Sequence, residues 1–303
     1  MARGINRLAF VLLGLALSWA LPAAAGEVQS MRATIGDFEV FILADSYRDL
    51  NAGLFKPATP EQEAAIKATY PTGNTRNALN VFLVRSAAGT LLVDAGGGTL
   101  LGPEPGALPK LLAAQGVAPE DVDTVLVTHA HRDHVGGLAL NGKAAFPKAT
   151  VCIARAEHEF WTNPDNLAKA PERLRGTFTA LADALAPYAG RVKLVEPGPG
   201  PLPGATLLAA HGHTPGHLAL LLESKGKRLL LFADLLHGLA LQTAHPEIAI
   251  AFDLDPAAAI ASRQALLARA AQEGWLVSGV HVPAPALYTL HAQGGGYAAA
   301  QVP

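Results

Sequence analysis

Three histidines and one aspartate lie within six positions of the chain, directly after an apolar run. Residues 125–134 read Val-Leu-Val-Thr-His-Ala-His-Arg-Asp-His, and the apolar part has the pattern of a buried strand. His129 and His131 are two positions apart, so in an extended chain both imidazoles leave the backbone on the same side. Asp133 and His134 follow after the chain changes direction and can face a second ion. Because imidazoles and carboxylates together suit zinc, iron, cobalt or manganese, the segment predicts a divalent-metal site.

The composition narrows the classes of function. The 303 residues include 11 histidines but a single cysteine, Cys152, which excludes an internal disulfide framework and a multi-cysteine metal site. Lysine and arginine number 23 against 25 aspartates and glutamates, so no basic surface argues for nucleic acid. Half of the residues are hydrophobic, enough for a large core. These numbers favour a globular protein with a soluble surface, and the histidines direct attention to imidazole chemistry.

The first 25 residues have the pattern of a secretory signal peptide. Two arginines precede the apolar run from Leu8 to Leu21, and three consecutive alanines then offer a cleavage site before Gly26. This run is shorter than the roughly 20 residues that span a bilayer. We therefore expect export, cleavage, and a mature protein of residues 26–303 that is periplasmic or secreted and free of the membrane.

Apolar runs alternate with helix-like segments along the rest of the chain. The predicted strands are Phe38–Leu43, Ala78–Arg85, Thr90–Val93, Thr124–Val127, Thr150–Ile153, Val192–Val195, Thr206–Ala209, Leu218–Leu222, Arg228–Phe232 and Trp275–Ser278. The predicted helices are Pro60–Thr69, Ala107–Gln115, Ala156–Thr162, Glu172–Ala186 and Pro256–Glu273. Most strands are apolar throughout, which suits burial on both faces. Strands in groups with helices between them indicate a layered α/β protein with sheet packed inside helices.

Five ordered motifs resemble the metallo-β-lactamase superfamily. The His-x-His-x-Asp-His run after a hydrophobic strand is similar to the signature of that family. The other four motifs are Leu91–Gly96, Gly212–His217, Phe232–Asp234 and Gly279–His281. The resemblance extends over nearly all of the chain from about residue 35 onward. It implies a single domain with the four-layer αββα sandwich of the family.

The resemblance also implies a set of metal ligands, carried over motif by motif. One divalent ion would be held by His129, His131 and His213. The other would be held by Asp133, His134 and His281, with Asp234 bridging the two. Asp94 and His217 would orient the ligands by hydrogen bonds rather than touch the ions.

Simpler interpretations of these residues remain open. The first motif could be a polar strand end with solvated histidines, although four candidate ligands in six positions favour metal. His213 and His217 flank a Thr-Pro-Gly turn and could be turn residues. Asp234 could cap a helix, although an unpaired carboxylate at the end of a buried strand would be costly. His291 is the rival of His281, which we prefer because it follows a predicted strand, whereas His291 lies in a tail rich in glycine and alanine.

Within the superfamily, the chain resembles exported methyl parathion hydrolase-like enzymes and N-acyl homoserine lactonases. The supporting segments are Ala154–Glu157, Asp234–His237, Phe252–Asp255 and His281–Pro283. The resemblance implies that a hydroxide bridging two metal ions attacks a lactone, ester or phosphotriester. Zinc is the expected metal, with cobalt, manganese or iron as alternatives. We favour a lactone or ester, because organophosphates are largely synthetic. Asp133 or Asp234 would accept or relay the proton.

Three residues are expected to line the substrate pocket. Trp161 and Phe178 resemble members of its aromatic wall, with packing of a helix onto the core as an equal alternative. His237, three residues after the bridging acid, would contact substrate.

Two other functions remain as alternatives. A β-lactamase-type amide hydrolase is disfavoured, because the related lactamases have a serine near the place of Asp234. A non-catalytic periplasmic protein that binds metal or a ligand is disfavoured, because all seven ligand positions are filled. The oligomeric state stays open, a homodimer included.

Overall fold

Two seven-stranded sheets, each built from one half of the chain, form the centre of the fold. The computed structural model describes residues 29–102 and 106–302, and the predicted signal peptide lies outside the described residues. The first sheet contains, in spatial order, β1 (Ser30–Ile35), β2 (Phe38–Asn51), β3 (Asn74–Ser86), β4 (Gly89–Val93), β5 (Thr124–Val127), β6 (Thr150–Ala154) and β7 (Val192–Val195). The second contains β8 (Gly198–Pro199), β9 (Ala205–Ala209), β10 (Leu218–Ser224), β11 (Lys227–Leu231), β12 (Leu276–Ser278), β13 (Leu287–Gln293) and β14 (Gly296–Val302).

The direction of the strands determines which segments meet at the sheet edges. In the first sheet β4, β5, β6 and β7 run parallel, and the remaining pairs are antiparallel. In the second sheet only β11 and β12 are parallel. Parallel strands present their carboxyl ends at one edge, which is where binding sites of α/β proteins collect. Asp94, His134, Asp234 and His281 each lie just after the carboxyl end of such a strand.

In the described part of the chain, eight α-helices connect or cover the sheets. They are α1 (Pro60–Thr69), α2 (Leu108–Ala114), α3 (Arg132–Val135), α4 (Arg155–Thr162), α5 (Pro164–Lys169), α6 (Glu172–Leu185), α7 (Leu239–Ala244) and α8 (Pro256–Gln272). The start of α8 follows directly from the sequence, because the Asp255 side chain accepts a hydrogen bond from the Ala258 N–H at 3.0 Å and proline occupies the first helical position. No helix among the described residues is long and apolar enough to cross a membrane.

Alternating side chains of the strands build three stacked apolar layers. On β2, Val40 and Ile42 belong to the layer between the two sheets, whereas Phe41 and Leu43 belong to a layer shared with α2 and α6. On β10, Leu220 packs between the sheets, and its neighbours face α8 on the outer side. Because both faces are covered at the centre of each sheet, the central strands are mostly apolar. The predicted single-domain, four-layer αββα sandwich is therefore confirmed.

The end of the chain differs from the sequence prediction. The segment after His281, expected to be a tail without strands, forms the hairpin β13–β14 at the edge of the second sheet. Gly294 and Gly295 both have positive φ, 58° and 88°, as a two-residue hairpin turn requires. The Gly-Gly pair is typical of such a hairpin turn. The alanines near it have low strand propensity, so the flanking segments were not predicted as strands. His291 lies on this hairpin, exposed, with its Nε2 3.0 Å from the hydroxyl of Thr289.

Candidate metal centre

Seven histidine and aspartate side chains from both halves of the chain converge where the strand ends of the two sheets meet. They form two groups, and within each group the candidate ligand atoms all lie within 4.8 Å of one another. The first group is His129, His131, His213 and Asp234. The second is Asp133, His134, Asp234 and His281. The structure therefore brings together all seven residues that the sequence assigned as ligands, with Asp234 common to both groups.

Three imidazoles form one half of the centre, which we call the three-imidazole half. The Nδ1 of His131 lies 3.0 Å from the Nε2 of His129 and 3.0 Å from the Nε2 of His213. Nitrogens bound to one tetrahedral zinc ion at 2.0–2.1 Å would lie roughly 3.3 Å apart, which is close to this spacing. Burial lowers the pKa of His131 to about 4, and it also lowers the pKa of His129 and His213 well below the usual value. At neutral pH all three rings are therefore uncharged, as metal ligands must be.

Two carboxylates and two imidazoles form the other half, which we call the mixed half. The Nε2 of His281 lies 3.0 Å from Asp234 Oδ2 and 3.4 Å from Asp133 Oδ2. The Nε2 of His134 lies 3.2 Å from Asp234 Oδ1. Burial disfavours the charged form of His134, but the charges of Asp234, Asp94 and Asp133 outweigh burial and raise its pKa well above the usual value. This half of the centre therefore attracts positive charge.

Two orphaned polar atoms show that a divalent ion fits the mixed half. His134 Nε2 and Asp234 Oδ1 are both buried and make no hydrogen bond with the described residues. The Nδ1 of His134 lies 2.8 Å from Asp94 Oδ2, so its Nε2 is the atom left to bind an ion. A buried polar atom without a partner is destabilising, and a cation between these two atoms would satisfy both. The set of nitrogen and oxygen donors is that of zinc and similar metals.

Asp94 and His217 occupy the supporting positions predicted for them. Asp94 accepts hydrogen bonds from the backbone N–H and the hydroxyl of Thr128, both at 2.8 Å, in addition to its contact with His134. His217 lies between two backbone groups. Its Nδ1 is 2.8 Å from the carbonyl of Ala210, and its Nε2 accepts the N–H of Asp234 at 3.3 Å. Asp94 therefore orients a ligand ring, and His217 orients the backbone of the shared carboxylate.

Two further acids, which the sequence did not single out for a role, also support the centre. Glu157 on α4 is fully buried and accepts the N–H groups of Ala130 and Gly216 at 2.9 and 2.8 Å, so it ties the first histidine motif to the Gly212–His217 motif. The Oδ1 of Asp253 lies 3.1 Å from the Nδ1 of His213. Asp253 therefore orients a ligand ring in the way a supporting carboxylate does.

Arg263 lies behind Asp253 and is 1% exposed. Its guanidinium donates to the carbonyls of Leu235, Pro246 and Ile248 and lies 3.6 Å from Asp253 Oδ2. The sequence contained a signal for the burial of Arg263. This residue falls on the buried stripe of α8, which also contains Ala259, Leu266, Leu267 and Ala270. A charged residue in such a stripe is rarely buried without a partner.

A cavity of about 500 Å³ opens onto the metal centre. Its lining includes the predicted His237, whose Nε2 lies 3.2 Å from Asp234 Oδ2 and whose ring stacks on His281 at 4.8 Å. Trp161 and Phe178 are not among the lining residues. They are buried against each other at 4.8 Å in the layer between the first sheet and its helices. Trp161 donates to Glu157 at 2.7 Å, so these aromatic residues lie behind the centre, where they pack its support.

Comparison with known proteins connects this geometry to a family. The model of the Metallo-beta-lactamase superfamily matches residues 74–281. An N-acyl homoserine lactonase of Bacillus cereus is 30% identical over 190 residues, which cover 55% of this chain and 68% of that protein. Metallo-beta-lactamase domain-containing protein 1 of Mus musculus is 44% identical over 78 residues. The chain spans about a quarter of the length of that second protein.

Two solved structures are similar over nearly their whole length. One is described as hydrolase AbOPH in the beta lactamase superfamily, with a TM-score of 0.83 and 30% identity, covering 91% of this chain and 97% of that one. The other is AidC, a dizinc quorum-quenching lactonase solved with a product, with a TM-score of 0.81 and 28% identity. It covers 90% of this chain and 97% of that one.

Proposed function

Because the chain belongs to the metallo-beta-lactamase superfamily, we propose that it is a zinc-dependent hydrolase that opens lactones or cleaves carboxylic esters. The observation that carries the proposal is the position of Asp234, shared by the two ligand groups. A carboxylate common to two sets of ligands is the arrangement of a dinuclear centre. When bound, two such ions supply an activated hydroxide at neutral pH and polarise the carbonyl oxygen of the substrate. The similarity to lactonases, one of them a dizinc enzyme, supports this choice of metal and substrate.

Asp133 is the residue best placed to take up the proton of the attacking water. Both side chains line the cavity, but that of Asp133 is 22% exposed, whereas that of Asp234 is only 2% exposed. Burial favours the neutral form of Asp133, but His134 and His281 outweigh burial and lower its pKa. The carboxylate is therefore ionised at neutral pH and able to accept a proton at the edge of the cavity.

The walls of the cavity would orient the substrate. Leu50, Leu54 and Leu79 line one part of it, and Leu174 and Phe252 also contribute apolar surface. An acyl chain or ring packed there would exclude water from the reacting carbonyl. His237 lies between the ligand His281 and Phe252, at ring distances of 4.8 and 5.6 Å, and would contact the group next to the scissile bond.

The location of the protein is also a proposal. The arginines, apolar run and alanines of the first 25 residues support export to the periplasm or secretion. A substrate outside the cytoplasm would agree with that route.

A substrate panel tests the function. The zinc-loaded protein would be assayed with an N-acyl homoserine lactone, an aryl ester, a phosphotriester and a cephalosporin, compared by kcat/KM. We expect the highest value for the lactone or the ester, loss of activity on chelation, and recovery with zinc. Metal analysis should find about two ions per chain. A protein that retains metal but turns over nothing in the panel would be a binding protein, and preference for the cephalosporin would favour an amide hydrolase.

A further inference from the structure

Three arginines line the opening of the cavity at the metal centre. They are Arg48, Arg132 and Arg173, all exposed, and we call them the arginine rim. Three acids also line the cavity, but each has another role. Asp133 and Asp234 belong to the ligand groups, and Asp49 forms an ion pair of 3.1 Å with Arg76. The charge left available around the opening is therefore positive.

Two of these arginines also hold the protein's own backbone. The guanidinium of Arg48 donates a hydrogen bond to the carbonyl of Leu101 at 3.2 Å. The guanidinium of Arg132 donates one to the carbonyl of Leu100. These carbonyls belong to the single turn Gly98–Leu101, and the side chain of Leu101 lines the cavity. Replacing Arg48 or Arg132 would therefore disturb the wall of the cavity as well as its charge.

Arg173 differs from the other two, because no hydrogen bond or ion pair joins its side chain to the described part of the chain. It is the second residue of α6, a position where the helix dipole disfavours a cation. Its neighbour Glu172 lies 3.5 Å from Arg175 instead. A cation that stabilises neither its helix nor an ion pair, and that lines a cavity, is available for a ligand.

We propose that the arginine rim, with Arg173 as its main contact, binds an anionic group on the substrate. The substrates would then be lactones or esters that carry a carboxylate or a phosphate-type group at the end opposite the scissile bond. Arginine can bind either group with two parallel hydrogen bonds. The apolar surface of Leu50, Leu54 and Leu174 would cover the chain that connects this group to the reacting carbonyl. This inference rests on the proposed hydrolytic function, which it makes more specific.

Matched esters of one length test the proposal. The zinc-loaded protein would be assayed with 4-nitrophenyl heptanoate, the 4-nitrophenyl monoester of pimelic acid, 4-nitrophenyl 6-phosphonohexanoate and 4-nitrophenyl 6-aminohexanoate. These differ only in a terminal methyl, carboxylate, phosphonate or ammonium group. We expect kcat/KM to be about three- to tenfold higher for the anionic esters than for the methyl ester, and lowest for the ammonium ester. The comparison of carboxylate with phosphonate identifies the preferred anion, and the preference should weaken in 0.5 M salt.

Variants of α6 assign the preference to one side chain. Arg173→Ala should remove most of it and Arg173→Glu should reverse it, measured as the ratio of kcat/KM for the anionic ester to that for the methyl ester. Arg175→Ala is the matched control, because Arg175 is exposed on the same helix but does not line the cavity. An anionic preference that is absent from the unmodified protein, or that survives in Arg173→Glu, would overturn the proposal.

Calorimetry provides a test that does not depend on turnover. Hexanoate has one carboxylate, which the metal centre can bind, whereas adipate has a second one for the rim. Adipate should bind the zinc-loaded protein more tightly than hexanoate, and Arg173→Glu should abolish that difference. Equal affinities would contradict the rim as an anion site even if no ester is hydrolysed. Hydrolysis of the methyl ester without anionic preference would instead leave the proposed function intact and reject only this inference.

Discussion

The two halves of the metal centre are built from different surroundings. In the three-imidazole half, the side chains of His129 and His213 are at most 2% exposed, and Asp253 and Glu157 fix the motifs that carry the ligands. In the mixed half, the side chains of Asp133 and His281 are 22% and 13% exposed and face the cavity. The comparison indicates a division of labour. The three-imidazole half, of whose imidazoles only His131 lines the cavity, is more enclosed and suited to retaining an ion, and the mixed half is more open to substrate.

The shared carboxylate links the halves, and its loss should have the largest effect. Asp234→Asn keeps the shape of the side chain but removes the charge that serves both ion sites. We expect kcat/KM to fall more than about a hundredfold, since even residues that merely support metal ligands contribute 10–100-fold. Metal analysis after dialysis should find close to one ion per chain. Full activity with two ions would show that Asp234 does not join the halves.

Removing one ligand from each half should separate their roles. His281→Ala should leave the three-imidazole half occupied, so about one ion per chain should survive dialysis. His213→Ala should weaken that half itself and leave less metal than His281→Ala does. Zinc titration with a competing chelator measures both affinities. Equal metal loss in the two variants would contradict the view that the halves retain ions differently.

Loss of the Asp253 carboxylate should affect the three-imidazole half alone. Asp253→Ala removes the carboxylate beside His213 Nδ1, and we expect the zinc affinity of the three-imidazole half to fall about 10–100-fold. Asp255→Ala is the control, because it lies two residues away and removes the cap of α8. It should lower the free energy of unfolding by about 1 kcal/mol without changing zinc affinity. A similar zinc affinity in both variants would show that Asp253 does not contribute to zinc binding through His213.

The smallest difference between the halves should appear in the protein without metal, in how its free energy of unfolding depends on pH. The pKa values of His131 and His217 are lowered to about 4, so their contribution is complete above pH 6.5 and is lost as the pH falls toward 4. The pKa values of His134 and His281 are raised, so their contribution is complete below pH 6.5 and is lost as the pH rises. Urea unfolding should therefore give greatest stability near pH 6.5. His134→Gln should flatten the alkaline side only, and an unchanged alkaline side would contradict this assignment.

Local pattern accounts for most of the elements. The helix Pro60–Thr69 has the predicted bounds, and the start of α8 follows from Asp255 and Pro256. A cap or a proline acts within one turn of its own position, so neighbouring residues suffice to locate it. The edge strand β1 and the hairpin β13–β14 were missed. Their pairing partners, rather than their own residues, make them strands.

The types of metal ligand could be predicted from the sequence, because each candidate ligand lies in a short motif beside a strand. Their grouping around Asp234 was implied by family resemblance and depends in space on how β5 of one sheet and β11 and β12 of the other come together. The roles of Asp253 and Arg263, and the position of Trp161 behind the cavity rather than in it, follow from packing between different elements, such as the contact between His213 and Asp253, 40 positions apart. Spacing along a chain specifies what a side chain can bind, whereas the docking of the two sheets specifies what lies next to it.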